Sequence, residues 1–237
     1  LCRAARLDFL GLPELRSARY LNRAGRWDAA LEALPHSTTV HAVALRAEIL
    51  VERHWWQQRG IDAAVEGVAR LAEDDEALAG FLTAQIACAR VLFDAAPLPG
   101  DTGRARDGFR ISAQDPRLEP WALFWSGVAA DLLGHDSEAA ASWLSRALPA
   151  SIRSADPLLE SYVVRHQGLQ RSETDPAAGL ALLRRSLALR SALGATPQVA
   201  AAQAALAPLL GEDAEAAVLR DAVALAAEEL DLVWLRI

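Results

Sequence analysis

The 237-residue chain contains no lysine and no methionine, asparagine occurs once, at Asn22, and the two cysteines are Cys2 and Cys88. All 24 basic residues are therefore arginine. The absence of lysine removes Schiff-base catalysis and the phosphate-loop lysine from consideration. Together with the scarcity of asparagine, it fits the codon bias of a GC-rich, actinobacterial-type genome. Two thiols make no disulfide framework, so a reducing cytoplasm is the expected setting. A complete reading frame would carry an initiator methionine, so the expectation is trimmed ends or residues passed over in the numbering. The second case would shorten some spacings by one residue. The longest apolar stretches, such as 199–210, are too short and too alanine-rich to span a bilayer, and no secretory leader is visible. A soluble protein without a membrane association is expected. The net charge of −7 leaves no broad basic face to displace counterions, so direct nucleic-acid binding is not expected.

Catalytic signatures are missing as well. There is no phosphate loop, no Gly-x-Gly-x-x-Gly after a strand, no Gly-x-Ser-x-Gly elbow and no His-Glu-x-x-His. His36 and His41 flank a Ser-Thr-Thr segment without a cysteine or carboxylate at metal-ligand spacing. Neither a metal, a cofactor nor an enzymatic activity is expected. The acidic runs at 73–76 and at Glu228-Glu229 read as solvated turns or as charges that complement a helix start. Cys88, within Ile86-Ala-Cys-Ala-Arg90, reads as a small core residue rather than a nucleophile.

What the chain does have is alanine, leucine, arginine and glutamate, all strong helix formers, with apolar residues at helical spacing. Leu180, Leu183, Leu187 and Leu193 stripe one segment, and Val218, Leu219, Val223 and Leu230 another. The decapeptide 132–141 (LLGHDSEAAA) returns at 209–218 (LLGEDAEAAV) with seven of ten residues identical, 77 residues further on. Self-similarity on that scale marks a repeat array, two helical hairpins apart. Turn marks recur at Gly25, Gly60, Gly100, Gly134, around Thr174 and at Gly211. Glycine at such places supplies the left-handed residue that ends a helix. Prolines such as Pro35, Pro116, Pro149, Pro157 and Pro197 fall mostly between hairpins, and Asp156-Pro157 and Thr196-Pro197 read as a cap followed by a first-turn proline.

At these residues the chain resembles the tetratricopeptide repeat family. Gly25-Arg-Trp-Asp-Ala-Ala-Leu31 matches the family's turn and early alanine, with Leu34 and Pro35 following. Gly100-Asp101 leads to Ala105 and Phe109; Gly134 leads to Ala139 and Trp143, with Gly127 at the small position of the preceding helix; Gly211 leads to Ala216 and Ala217. The resemblance implies an all-α, right-handed solenoid of about six antiparallel hairpins, with units near 1–38, 39–74, 75–117, 118–155, 156–195 and 196–237. Such stacks bury one continuous core and present a broad curved surface.

In this family the first helix of each unit lines the concave face. That register, carried along the chain, places Arg16, Arg19 and Asn22 in unit one, His54 and Gln57 in unit two, and Arg90 and Asp94 in unit three. It places Trp121, Phe124, Trp125 and Asp131 in unit four, and Arg165 and Arg171 in unit five. Five arginines against two aspartates would favour an acidic protein or peptide, or an anionic small ligand. Trp121, Phe124 and Trp125 share one helical face, which either packs on a neighbouring helix or anchors a ligand. The expected function is protein or peptide binding through the concave face, as a scaffold or as the sensory arm of a bacterial regulator. The alternative is a small-molecule sensor with a cavity beside Trp121, Phe124 and Trp125. The apolar segment Val233-Trp-Leu-Arg-Ile237 has no polar cap, which points to a truncated array or a homodimer contact.

Overall fold

The computed structural model describes residues 12–36 and 38–236; Cys2, Ser37, Ile237 and the beginning of the first expected unit lie outside the described residues. Among the described residues the chain is all-helical and has no strand. The helices are α1 (Arg16–Arg23), α2 (Trp27–Glu32), α3 (Val40–Gln57), α4 (Ile61–Leu71), α5 (Glu76–Leu92), α6 (Asp101–Ser112), α7 (Glu119–Leu132), α8 (Ser137–Arg153), α9 (Pro157–Ser172), α10 (Pro176–Ala192), α11 (Thr196–Leu210) and α12 (Ala214–Glu229). Short 3-10 turns lie at Pro13–Leu15 and Val233–Leu235. Consecutive helices pack on one another, most extensively α9 on α10, α7 on α8 and α5 on α6.

One device starts four of these helices. Asp75, Asp136, Asp156 and Asp175 each accept a hydrogen bond from a backbone N–H of the first turn that follows, at 2.9 to 3.1 Å. Each satisfies a donor that the helix itself leaves unpaired. Asp156-Pro157 is a cap and first-turn proline, whereas the cap of α11 is Ala195, so Thr196 and Pro197 are its first two residues. Pro149 differs from the expectation: it lies inside α8, where its neighbourhood is exposed enough for the lost backbone bond to be tolerated. Small residues set the helix spacing within hairpins. A Cβ on Gly127 of α7 would stand 3.1 Å from Leu144 of α8, and one on Gly108 of α6 would stand 2.6 Å from Ala84 of α5. Side chains larger than hydrogen would push these pairs apart.

The two copies of the decapeptide adopt different turns. In the second, Gly211 takes the positive φ (63°), whereas in the first it is His135 (49°) that does so. The helix that follows is correspondingly rotated: of the adjacent motif alanines, Ala140 is the buried one in α8, but Ala216, equivalent to Ala139, is the buried one in α12. The repeat is therefore one of sequence and topology, with the inward face shifted by one residue.

The two ends of the array meet. Leu15 of the first 3-10 turn and buried residues of α1 to α3, among them Ala18, Trp27, Leu45 and Ile49, form one apolar cluster with Ala200 and Ala201 of α11, Val223 and Ala227 of α12, and Leu232 and Leu235. Arg23 donates to the Leu193 carbonyl at 3.3 Å, Gln57 to the Leu230 carbonyl at 2.9 Å, and Arg26 pairs with Glu229. Gly25, with φ of 77°, lets the first turn approach Pro197 and Leu230, where a Cβ would stand 2.8 Å from the proline ring. Trp56 stacks on Trp234 at 5.1 Å. Within the apolar segment 232–235, Leu232 and Leu235 are thus buried in the cluster with the chain's own first helices, while Trp234 keeps part of its ring exposed.

Candidate functional site

Where the ends converge, the inner helices enclose a cavity of about 440 Å³. Its first wall comes from α3 and the end of α5: Trp55 and Trp56, with Phe93 just past the last turn of α5. Adjacent tryptophans on a helix point about 100° apart, and both directions are used. Trp55 meets Phe93 edge-on at 5.2 Å and Trp125 at 4.9 Å, while Trp56 turns to Trp234. The second wall is α7, through Phe124, Trp125, Val128 and Asp131. Trp125 stacks at 5.5 Å on Phe109 of α6, which fixes its ring. The third wall is α9, through Tyr162, Arg165, His166 and Leu169, one helical face at i, i+3, i+4 and i+7. Arg190 of α10 and Ala201 of α11 close the far side. Leu132 and Trp234 are the exposed residues of the lining, which places the mouth beside them.

The polar part of the cavity is concentrated on one side. Arg190 is 1% exposed; its Nε donates to Ser161 Oγ at 3.1 Å, its Nη1 to the Gln198 carbonyl at 2.7 Å, and its guanidinium lies 4.5 Å over the Tyr162 ring. Its Nη2 is buried with no hydrogen-bond partner. Arg165 Nε approaches the Ala201 carbonyl at 3.4 Å. Neither arginine has an ion pair among the described residues, and neither does Asp131. Burial, with the positive charges of Arg165 and Arg190 beside it, pushes His166 down to about 3, so it is a neutral imidazole at physiological pH. Burial likewise lowers Arg190 to about 9 and raises the Tyr162 phenol to about 12, and it lowers Arg165.

A buried hydrogen-bond chain adjoins this side. Glu52 of α3, 3% exposed, accepts from Asn22 Nδ2 at 2.8 Å and from Gln198 Nε2 at 2.9 Å. Gln198 in turn offers its backbone carbonyl to Arg190. Helices α1, α3, α10 and α11 are thereby joined through polar groups in the region where the ends meet.

The candidate residues read from the sequence separate into distinct places. Phe124, Trp125, Asp131 and Arg165 come together at the cavity. Trp121, 2% exposed, does not line it; its indole donates to Asp156 at 3.0 Å in the core. Arg19 and Asn22 stand at a small polar cleft with Glu48 and Glu52, and Gln57 joins the chain ends. His54 is buried, which lowers its pKa. Arg171 is exposed and paired with Asp175, and Arg16 and Asp94 are exposed. Arg90 lines a separate cleft of about 490 Å³ between α4, α5 and α6. That cleft contains no aromatic ring, and its Asp101 and Arg104 neutralise each other at 2.9 Å. The five arginines placed on the concave face by register thus do not share one surface.

Tyr162, His166, Arg190 and Trp234 escaped the sequence reading. The α9 face carries the signal, a helical i, i+3, i+4, i+7 set, but Arg165 and His166, polar members at two of its four positions, hide it from an apolar count. Arg190 lies on the second helix of its hairpin, which a first-helix register never visits.

Among the described residues no group of three or more His, Cys, Asp or Glu is placed to hold a metal ion, and no helix is long and apolar enough to cross a membrane. Cys88 is buried and its thiol is pushed up to about 12 by desolvation. No family model matches the chain, and no curated protein matches it.

Proposed function

We propose that this chain is a small-molecule-binding helical repeat domain, built on tetratricopeptide-like hairpins and serving as the sensory unit of a regulator. The observation that carries the reading is the cavity of about 440 Å³ walled by tryptophan, phenylalanine and tyrosine rings from α3, α5, α7 and α9. Ligand sites of a few hundred cubic ångströms, mostly apolar with a few convergent polar groups, suit compact organic molecules. The alternative of an extended peptide along an open concave face is less well supported, because α3 is tied to α11 through Glu52 and Gln198 and meets the 233–235 turn at Trp56 and Trp234. A ligand seated here touches both ends of the array at once, so its binding energy favours the closed arrangement over any opened one. That is the physical link between occupancy and a signal.

The test uses the neutral fluorescent probe N-phenyl-1-naphthylamine. The protein is expected to bind it saturably at one site per chain, with enhanced emission. Leu169→Trp, which fills the cavity from α9, is expected to abolish the enhancement while leaving the far-ultraviolet circular dichroism and the Tm close to those of the parent. An absence of saturable binding, or undiminished binding by the folded Leu169→Trp variant, refutes the proposal.

A further inference from the structure

We propose that the cavity is specific for an organic anion: a flat apolar body between the rings, and a carboxylate or similar planar two-oxygen group on Arg190 and Arg165. The inference rests on the small-molecule reading above and names its ligand class. Its starting point is the buried Nη2 of Arg190, a charged donor in the cavity lining with no partner. A polar group withdrawn from water is costly when left unsatisfied, and a charged one more so. The other two donor positions of this guanidinium already tie α9 to α11, through Ser161 and the Gln198 carbonyl. They fix the orientation of the planar group, so Nη2 is held where it is by bonds that do not involve a ligand.

Charge supports the same conclusion. Arg165 lines the same cavity and likewise has no ion pair among the described residues. Asp131 is the one acidic residue of the lining and makes no ion pair with either arginine, so the lining carries net positive charge in a chain whose total is −7. His166 contributes no charge at neutral pH and no competing anion. Several other arginines of this protein pair with carboxylates, as Arg117 does with Asp75 and Asp115, and Arg184 with Glu215. The two in the cavity do not. Guanidinium is a planar donor fork that matches carboxylate geometry, and between largely apolar walls the attraction is screened less than at an open surface. The Trp55, Phe124 and Trp125 rings offer faces and edges to a flat ring system, and the indole N–H groups of Trp55 and Trp125, buried without a partner, add neutral donors.

The experiment compares 1-naphthylacetate with 1-naphthylacetamide, which share ring and linker and differ in charge, by isothermal titration calorimetry on the whole chain. N-phenyl-1-naphthylamine serves as the control for an intact cavity. The acid is expected to bind roughly ten- to a hundred-fold more tightly than the amide, the range that a charge-assisted hydrogen bond contributes. Arg165→Gln and Arg190→Gln are each expected to reduce that preference while retaining the neutral probe, and Arg190→Lys to keep part of it. Equal binding of acid and amide by a protein that binds the neutral probe overturns the anion inference and leaves the cavity reading standing. Failure to bind any of the three compounds overturns both. Because Arg190 also ties helices together, its glutamine variant is interpreted only if it retains the neutral probe; otherwise Arg165→Gln decides, and an unchanged preference in that variant overturns the inference.

Discussion

Replacing Glu52 by alanine should cost about 3 kcal/mol of stability, while replacing it by glutamine should cost about 1 kcal/mol or less. Glu52 is 3% exposed and holds two amide donors, Asn22 Nδ2 and Gln198 Nε2, which belong to the first and the second-to-last helices. Alanine strands both. An orphaned buried polar group costs roughly 1–3 kcal/mol, so two would cost about 2–6 kcal/mol. Removing a desolvated carboxylate returns part of that sum, which brings the expectation to the lower half. Glutamine behaves differently because Asn22 Oδ1 and Gln198 Oε1 are themselves without hydrogen-bond partners. If either amide turns over, it presents its oxygen to the new NH2 of glutamine, and both contacts survive without the charge. The assay is urea denaturation of parent, Glu52→Ala and Glu52→Gln, with Glu66→Ala as an exposed helical control expected within about 0.5 kcal/mol of the parent. A double-mutant cycle of Glu52→Ala with Gln198→Ala should return a coupling of about 1 kcal/mol or more. The reasoning is refuted if Glu52→Ala costs no more than the control. It is refuted equally if glutamine costs as much as alanine, because charge rather than hydrogen-bond count would then hold the joint.

Two further predictions address the cavity and the closure. His166 has a folded-state pKa depressed to about 3 against an ordinary 6.5, so between those values the unfolded chain takes up a proton that the native state refuses. Stability should therefore fall with decreasing pH across that window, and His166→Gln should flatten the slope by up to about 1.4 kcal/mol per pH unit, measured by denaturant titration from pH 7 to pH 4.5; an unaltered slope would count against a neutral buried imidazole. Gly25→Ala and Gly194→Ala both place a side chain at positive φ, but a Cβ at residue 25 meets Pro197 at 2.8 Å while one at 194 meets nothing within 4 Å. Each should lose about 1–2 kcal/mol from the left-handed backbone alone, with a larger loss at 25; equal losses by thermal denaturation would show that the ends do not approach as described.

Much of the local structure was legible. The aspartates before α5, α8, α9 and α10 are sequence-visible caps, and the turn marks at Gly25, Gly60, Gly100 and Gly211 do carry positive φ. Gly134 does not, because His135 takes the left-handed position in its place. That substitution of one residue for its neighbour rotates the following helix. It explains why the two near-identical decapeptides bury different alanines. Register carried from one unit to the next accumulates such shifts. Phe124, Trp125, Asp131 and Arg165 meet at the cavity, while Trp121, one turn nearer the start of the same helix as the two aromatics, serves the core through Asp156.

The amino-acid sequence by itself determined that the chain is helical, where most helices begin and end, and that hairpins follow one another, because caps, turns and apolar periodicity are properties of a few neighbouring residues. Only the tertiary structure decided that the first hairpin meets the last, that Trp56 and Trp234, 178 positions apart, stack beside one cavity, and that Arg190, its Nη2 without a partner, is among the residues that line it. Helical periodicity says which side chains share a face. Which faces meet depends on small rotations between successive hairpins, summed around the whole array, and no short stretch of the chain records that sum.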